Sequence, residues 1–436
     1  MTTASTLPQS APLSTPVPAP VQRLERGASQ LMLLALFSVA FSTALTNIFV
    51  GLGYIVFILA IISSAPLRAV LRQPRLMAPG LLALTLLALY LLGASWTIAP
   101  HADLMTALKK YSRLLILPIV VALSWRDPAM PRRALVYSLA GIGVLVVSIY
   151  LTSLGLMPQS SLGWWRVSSD TKDAFVFRNH ITIGILLAFA CSAALLYATH
   201  ATSSRQRTPA LLGALLVAIP VMFLSQGRTG FVVLLVGLLT VFLLRVRLTV
   251  LRVIGALLAL AALGAAVYMT SPNIRSRTND MVYEIQYDKA QSPNGLRKSF
   301  IEEGVRMFAA HPVIGLGTGA FAEAYAPVAL RNWPPGSEMA VSRHQPHSEF
   351  MLAAVQLGLV GLAAYFAMLG SLARAAMGPR TLPRSFQKDV LTVLLAVYIV
   401  ASSFNSLLWD TTEAHWFLLL SGCLYVASRR TSAAPA

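Results

Sequence analysis

The residues best suited to do chemistry lie in Arg343-His344-Gln345-Pro346-His347-Ser348-Glu349, at the far end of a long polar interval, 271–356, between two apolar helices. Pro346 stops whatever precedes it, and 350–369 is apolar enough to span a bilayer. His347 and Ser348 are therefore expected at a helix N-terminus on a membrane face. First-turn amide N–H groups and the helix dipole favour anions there and resist a positive charge on the imidazole. On that ground His347 is expected to be neutral near pH 7 and able to accept a proton. Glu349 stands close enough to oppose this, so the direction of the net shift stays open.

Several cations belong to the same question. Ser225-Gln226-Gly227-Arg228-Thr229-Gly230 is the one break in an apolar run from about 211 to 244, and its glycines allow a tight turn that leaves Arg228 near membrane level. A guanidinium deep in hydrocarbon costs on the order of 3 kcal/mol. A bare connecting turn does not need it, so the expectation is an anion clamp, with Glu413 as the structural alternative. Phe177-Arg178-Asn179-His180 stands directly before another apolar helix, where a cation is electrostatically awkward and should answer to an anion or acid outside that helix. Lys109, Lys110, Tyr111 and Arg113 crowd the outer end of a further span, either snorkelling to lipid headgroups or binding an anionic substrate. Gly163-Trp164-Trp165-Arg166 is aromatic and basic.

The elements that must position these residues follow from composition. Of 436 residues, 56% are hydrophobic and only 11% charged, and the mean hydropathy is +0.68, which describes a polytopic membrane protein. Spans of roughly 20 residues fit at 29–50, 52–67, 77–97, 106–124, 134–156, 180–199, 209–225, 229–245, 251–270, 349–370, 388–407 and 412–428. The net charge of +18 could suggest nucleic acid, but the basic residues are distributed as a membrane topology requires. Arg23 and Arg26, then Arg68, Arg72 and Arg75, then Arg126, Arg132 and Arg133 fill alternate short connections. Arg205 and Arg207, Arg245, Arg247 and Arg252, Arg374, Arg380, Arg384 and Lys388, and Arg429 and Arg430 continue the series. Both termini are therefore expected in the cytoplasm, with about 12 spans. The expected order is a disordered tail at 1–28, nine helices over 29–270, an outer loop at 271–348, three helices over 349–428 and a tail at 429–436. Cys191 and Cys423 sit inside apolar spans with no metal or disulfide spacing.

Within the outer loop, Leu296, Phe300, Ile301, Val305 and Phe308 recur at near-helical spacing opposite Lys298, Glu302, Glu303 and Arg306. This predicts an amphipathic helix over 294–310, lying on the membrane or the bundle and ended by His311-Pro312. Gly315-Leu316-Gly317-Thr318-Gly319 follows; with no preceding strand and no Gly-Lys-Ser it meets neither nucleotide fingerprint and reads as a flexible bend under the site.

Taken in order, Ser225-Gln226-Gly227-Arg228, His311-Pro312-Val313-Ile314-Gly315-Leu316-Gly317, His347-Ser348-Glu349 and Gln356-Leu357-Gly358-Leu359-Val360-Gly361 resemble the O-antigen ligase and Wzy-like polymerase superfamily. These are bacterial inner-membrane glycosyltransferases with a large periplasmic loop. The resemblance implies an all-α GT-C-type fold, the loop lying between helices 9 and 10, and a glycan on undecaprenyl pyrophosphate as donor. In the ligase branch the acceptor is a sugar hydroxyl of lipid A-core. It carries the family's essential histidine onto His347, its essential arginine onto Arg228 and its loop arginine onto Arg297. Members often show His-Asn where this chain has His347-Ser348. From position alone, Arg178, Arg343, His180, Lys110, Arg113 and His344 join as candidate substrate-binding residues.

The chemistry of these residues suits such a donor. Breaking a sugar–pyrophosphate bond requires stabilising negative charge on the leaving group, often with a divalent ion. The chain has only 16 acidic residues and no Asp-x-Asp in its outer connections, so arginines, whose planar forks match phosphate oxygens, are expected to do this without a metal or other cofactor. The partners expected are the lipid-linked donor, lipid A-core and membrane lipids. A polymerase or a protein O-oligosaccharyltransferase would share donor and motifs. A transporter or lipid flippase is the alternative of another class; repeated halves, interrupted helices or mid-span charges would favour it, and none is visible in the sequence.

Overall fold

A computed structural model describes residues 18–433, apart from 163–164, 169–173, 226, 246–248, 287–291, 334–342 and 378–383. Gly163, Trp164, Gln226, Arg247, Ser342 and Arg380 lie outside the described residues.

The described chain is mostly helical. Before the long loop at 271–348 come α1 (Ala19–Ser38), α2 (Thr43–Ser63), α3 (Ala65–Leu71), α4 (Pro74–Leu92), α5 (His101–Tyr111) and α6 (Ile116–Arg126). They are followed by α7 (Met130–Ser153), α8 (His180–His200), α9 (Ser204–Ile219), α10 (Arg228–Arg245) and α11 (Val250–Thr270). The segment 271–348 carries α12 (Pro272–Gln286), α13 (Pro293–Ala310) and α14 (Phe321–Asn332), and the chain closes with α15 (Glu349–Met377), α16 (Phe386–Ser402) and α17 (Thr411–Ala433). A small antiparallel hairpin, β1 (Ser160–Leu162) and β2 (Trp165–Val167), lies in the connection before α8.

Among the described residues eight helices are long and apolar enough to cross a membrane: α2, α4, α7, α8, α9, α10, α11 and α15. The other expected spans are helical too, but are shorter or carry charge. α16 has 17 residues, α1 opens with Arg23, Glu25 and Arg26, and α17 ends in Arg429 and Arg430. The expected span 106–124 is broken by a 3-10 turn at Ser112–Leu115. The expected first span, 29–50, also differs. Ser42 caps α2 by accepting from Leu45 N at 3.3 Å, so one helix ends at Ser38 and another starts at Thr43.

Close contacts at small residues set the packing where no hydrophobic force acts between helices in lipid. A Cβ on Gly184 would stand 2.4 Å from the Gly230 Cα, so α8 and α10 cross almost backbone to backbone. That crossing brings Arg228 to the level of His180, whose carbonyl oxygen would be 2.7 Å from a Cβ on Gly227. α17 is buried on all sides, with Trp416 edge-on to Phe189 and donating from Nε1 to Ser138 Oγ at 3.1 Å. At the opposite end of the bundle, the buried Asp389 carboxylate takes Arg245 Nη2 at 2.5 Å, Arg384 Nε at 2.6 Å and His200 Nε2 at 3.0 Å. It thereby ties the ends of α8, α10 and α16.

α15 is interrupted at Gly358 (φ 62°, ψ −154°), a break that the sequence does not announce. A broken helix leaves backbone groups that must be satisfied inside a membrane protein. Here the segment 312–319 satisfies them. Leu316 N donates to Val355 O at 2.9 Å and Gly317 N to Gln356 O at 2.9 Å, while Leu359 N and Val360 N donate to Pro312 O and Val313 O at 2.8 and 3.2 Å. Gly315, Gly317 and Gly319 all have positive φ, and a Cβ on Gly317 would stand 2.3 Å from Thr97 Cα. The glycine run expected to bend flexibly is therefore a close-packed joint. Thr318 Oγ1 donates to Tyr90 O at 2.6 Å and Thr97 Oγ1 to Thr318 O at 2.8 Å, which locks the joint to the end of α4.

Candidate active site

The site is assembled at the start of α15. His347 has φ 53°, unusual for a residue with a side chain, and Ser348 caps the helix, its Oγ accepting from Met351 N at 3.4 Å. Serine and asparagine cap equally well, so the Ser348 that departs from the family's His-Asn keeps that role. The His347 Nδ1 is 3.2 Å from Asn405 Oδ1, and Asn405 Nδ2 donates to Asp410 Oδ2 at 2.7 Å. The imidazole is half-buried, 6.0 Å from the Phe300 ring. Burial lowers the His347 pKa below the ordinary histidine value. The Asn405 hydrogen bond and Asp410 oppose this, whereas the charges of Arg297 and Arg343 reinforce it. The balance left open by the sequence thus falls toward the neutral ring. Glu349, the acid expected to oppose it, is fully buried and turned inward, accepting from Leu408 N at 2.8 Å.

Arg297 projects from α13, which spans Pro293–Ala310 close to the predicted 294–310. Burial and the neighbouring charge of Arg228 both lower the Arg297 pKa, as expected when two guanidinium groups share one corner. Arg228 thus acts on Arg297, and Arg297 and Arg343 act on His347. The helix seats itself through Phe300, fully buried against Phe321 and Tyr325, and through Gly304, where a Cβ would meet Met351 at 2.6 Å. Ile301 and Val305, expected on the packed stripe, are about half exposed.

The remaining candidates stand around this centre. Lys110 and Arg113 hold the 405–410 turn. Lys110 Nζ donates to Trp409 O at 3.3 Å and lies 4.4 Å over its ring, and Arg113 donates to Trp409 O and Thr411 Oγ1 at 3.1 and 2.7 Å. Arg178 donates to Val39 O at 3.0 Å and Thr43 Oγ1 at 2.8 Å. Burial lowers its pKa and Glu413 raises it, so the acid outside its own helix is Glu413. Glu413, weighed as a partner for Arg228, accepts the Thr182 hydroxyl. The left-handed Phe177 and the bond from its N to Arg166 O, 2.8 Å, link Arg178 to the hairpin. His344 Nδ1 is 3.6 Å from Asp103 and the ring stacks on Trp409. His180 starts α8 beside Gly227.

Asn405 and Asp410 were not legible as site residues. The pair sits at the junction of the expected spans 388–407 and 412–428; the polar Asn405-x4-Asp410 there is the signal that marks them. Burial raises the Asp410 pKa above the usual carboxylate value, while Lys110, Asn405, His347 and Gln345 hold it down. Among the described residues no three His, Cys, Asp or Glu side chains are grouped to hold a metal ion. A cavity of about 680 Å3 lies at the other end of the bundle between Glu25, Arg26, Arg126 and Arg133.

No curated protein gives a match to the chain. Residues 212–366 match the family model described as O-Antigen ligase, a segment that holds Arg228, Arg297, the glycine joint, Arg343 and His347. Over that segment, which lies in a helical membrane bundle, the chain is similar to the O-antigen ligase family.

Proposed function

We propose that this protein is an O-antigen ligase, transferring a polysaccharide from undecaprenyl pyrophosphate to a sugar hydroxyl of lipid A-core on the periplasmic side of the bacterial inner membrane. The observation that carries the reading is one half-buried imidazole, depressed in pKa, within the field of Arg297 and Arg343, with Arg228 acting on Arg297. His347 takes the proton of the acceptor hydroxyl as its oxygen attacks the anomeric carbon. The bond from that carbon to the pyrophosphate oxygen breaks, and the electron pair leaves with undecaprenyl pyrophosphate. Arg228, Arg297 and Arg343 meet the growing charge, a part that a divalent ion plays elsewhere. A direct displacement inverts the anomeric centre.

In this reading the architecture is of GT-C type with about 12 spans, α1, α5 with α6, α16 and α17 completing the eight apolar ones. Both termini lie in the cytoplasm, and the 271–348 loop covers the site from the periplasm. Arg178, His180, His344, Lys110 and Arg113 serve as surrounding substrate contacts or as supports for those that are.

The test incubates purified protein with an undecaprenyl-pyrophosphate glycan and lipid A-core in excess chelator. Joined product is expected. Loss of activity in EDTA, restored by magnesium or manganese, removes the arginine mechanism. Parallel incubations with the donor alone and with an acceptor protein separate the ligase from a polymerase and a protein glycosyltransferase.

A further inference from the structure

We infer that Asn405 and Asp410 are positioning residues that fix the tautomer of His347, the carboxylate deciding which end of the amide meets the imidazole. This rests on the reading of His347 as the base.

A carboxylate can only accept hydrogen bonds, so the atom of Asn405 that faces Asp410 Oδ2 at 2.7 Å must be the amide nitrogen. That choice turns the amide oxygen toward His347 Nδ1, 3.2 Å away. An amide oxygen also only accepts, so Nδ1 must carry the ring's proton. A neutral imidazole has a single N–H, and the lone pair therefore stands on Nε2, the nitrogen left to take the proton of an acceptor hydroxyl. With Asp410 uncharged the amide is free to turn over and donate to Nδ1. The proton would then sit on Nε2, and the ring would be no base in that direction.

The turn is built to hold this chain. Asn405 is 2% exposed, and its backbone N donates to Ala401 O at 2.9 Å, so its side chain is not needed to close the turn. Gln345 Nε2 approaches Asp410 Oδ1 at 3.4 Å, and the Lys110 ammonium acts on the same carboxylate. Glu349 anchors Leu408 from beneath. The charged groups acting on His347 are Arg297 from α13, Arg343 from its own segment and Asp410 from the turn.

The experiment labels histidine with 15N in the full-length protein in detergent, assigns His347 by its loss in His347→Gln, and reads which ring nitrogen is protonated. Wild type should show N–H at Nδ1 and a bare Nε2. Asp410→Asn should move the proton to Nε2 and lower the transfer rate at least about tenfold while donor KM stays nearly constant. Should that variant fail to fold, Asn405→Leu removes the acceptor facing Nδ1. The proton should then no longer be held on Nδ1, and the transfer rate should fall while donor KM stays nearly constant. A bare Nδ1 in the wild type, or an unchanged tautomer in Asn405→Leu, overturns the proposal. A His347→Ala enzyme with full activity instead removes the base itself, an outcome separate from whichever tautomer the spectrum reports.

Discussion

At the residue scale the sharpest expectations concern His347 and Arg228. A positioned general base is worth about 100 to 10,000-fold, so His347→Ala should lose at least the smaller factor in transfer while binding of the lipid-linked donor is kept. Parallel loss of donor binding would make His347 a phosphate ligand. Burial and two arginines lower its pKa, so the imidazole stays neutral and active further into acid than a free histidine does. The acid limb of the rate should therefore fall below the ordinary value of about 6.5. A limb at or above that value contradicts the environment described. For Arg228, substitution by Lys keeps charge but loses the two-pronged contact, and should recover little of what Arg228→Ala loses. Undiminished turnover in a folded Arg228→Ala preparation would mark the turn as structural.

At the scale of elements, the joint between 312–319 and the broken α15 bears the most weight. The break at Gly358 is the kind of interruption expected of a transporter, yet its freed backbone groups pair with Pro312, Val313, Leu316 and Gly317. The rigidity of this joint has a direct test. Gly317→Ala places a Cβ 2.3 Å from Thr97 Cα at φ 95°, where backbone strain alone costs roughly 1–2 kcal/mol before any clash. It should lower the thermal midpoint and the yield of folded protein. Gly213→Ala, with nothing within 4 Å of its Cβ in α9, should leave both unchanged or slightly raised. Equal behaviour of the two would mean that the joint is loose.

For the whole molecule, orientation is the open physical quantity, and the native cysteines make it measurable. Cys191 and Cys423 are both free and buried, so a cysteine placed at an exposed position should dominate labelling by a membrane-impermeant maleimide. Glu302→Cys on α13 should react in cells whose outer membrane alone is permeable. Thr202→Cys, exposed just before α9, should react only once the inner membrane is opened. The reverse pattern would turn the bundle over and put the site in the cytoplasm. Charged groups sit at both ends, the Asp389 cluster at one and Lys110 with Asp410 at the other.

Much of this was written in local sequence. Hydropathy depends on composition within a window of about 20 residues, so most helices, the outer loop and the amphipathic α13 were legible. Motif spacing likewise pointed to His347, Arg228 and Arg297, because family patterns are local strings. Backbone geometry and long-range pairing were not local. Gly358 looks like any helix glycine until the segment 312–319 arrives to take its orphaned bonds, and the run around Gly317 reads as flexible until Thr97 closes on it. The partners of His347 come from 58 and, through Asn405, a further 5 residues along the chain. Only the fold could decide that this histidine is held by an amide, that the amide is held by a buried acid, and that Glu349, its neighbour in sequence, faces inward.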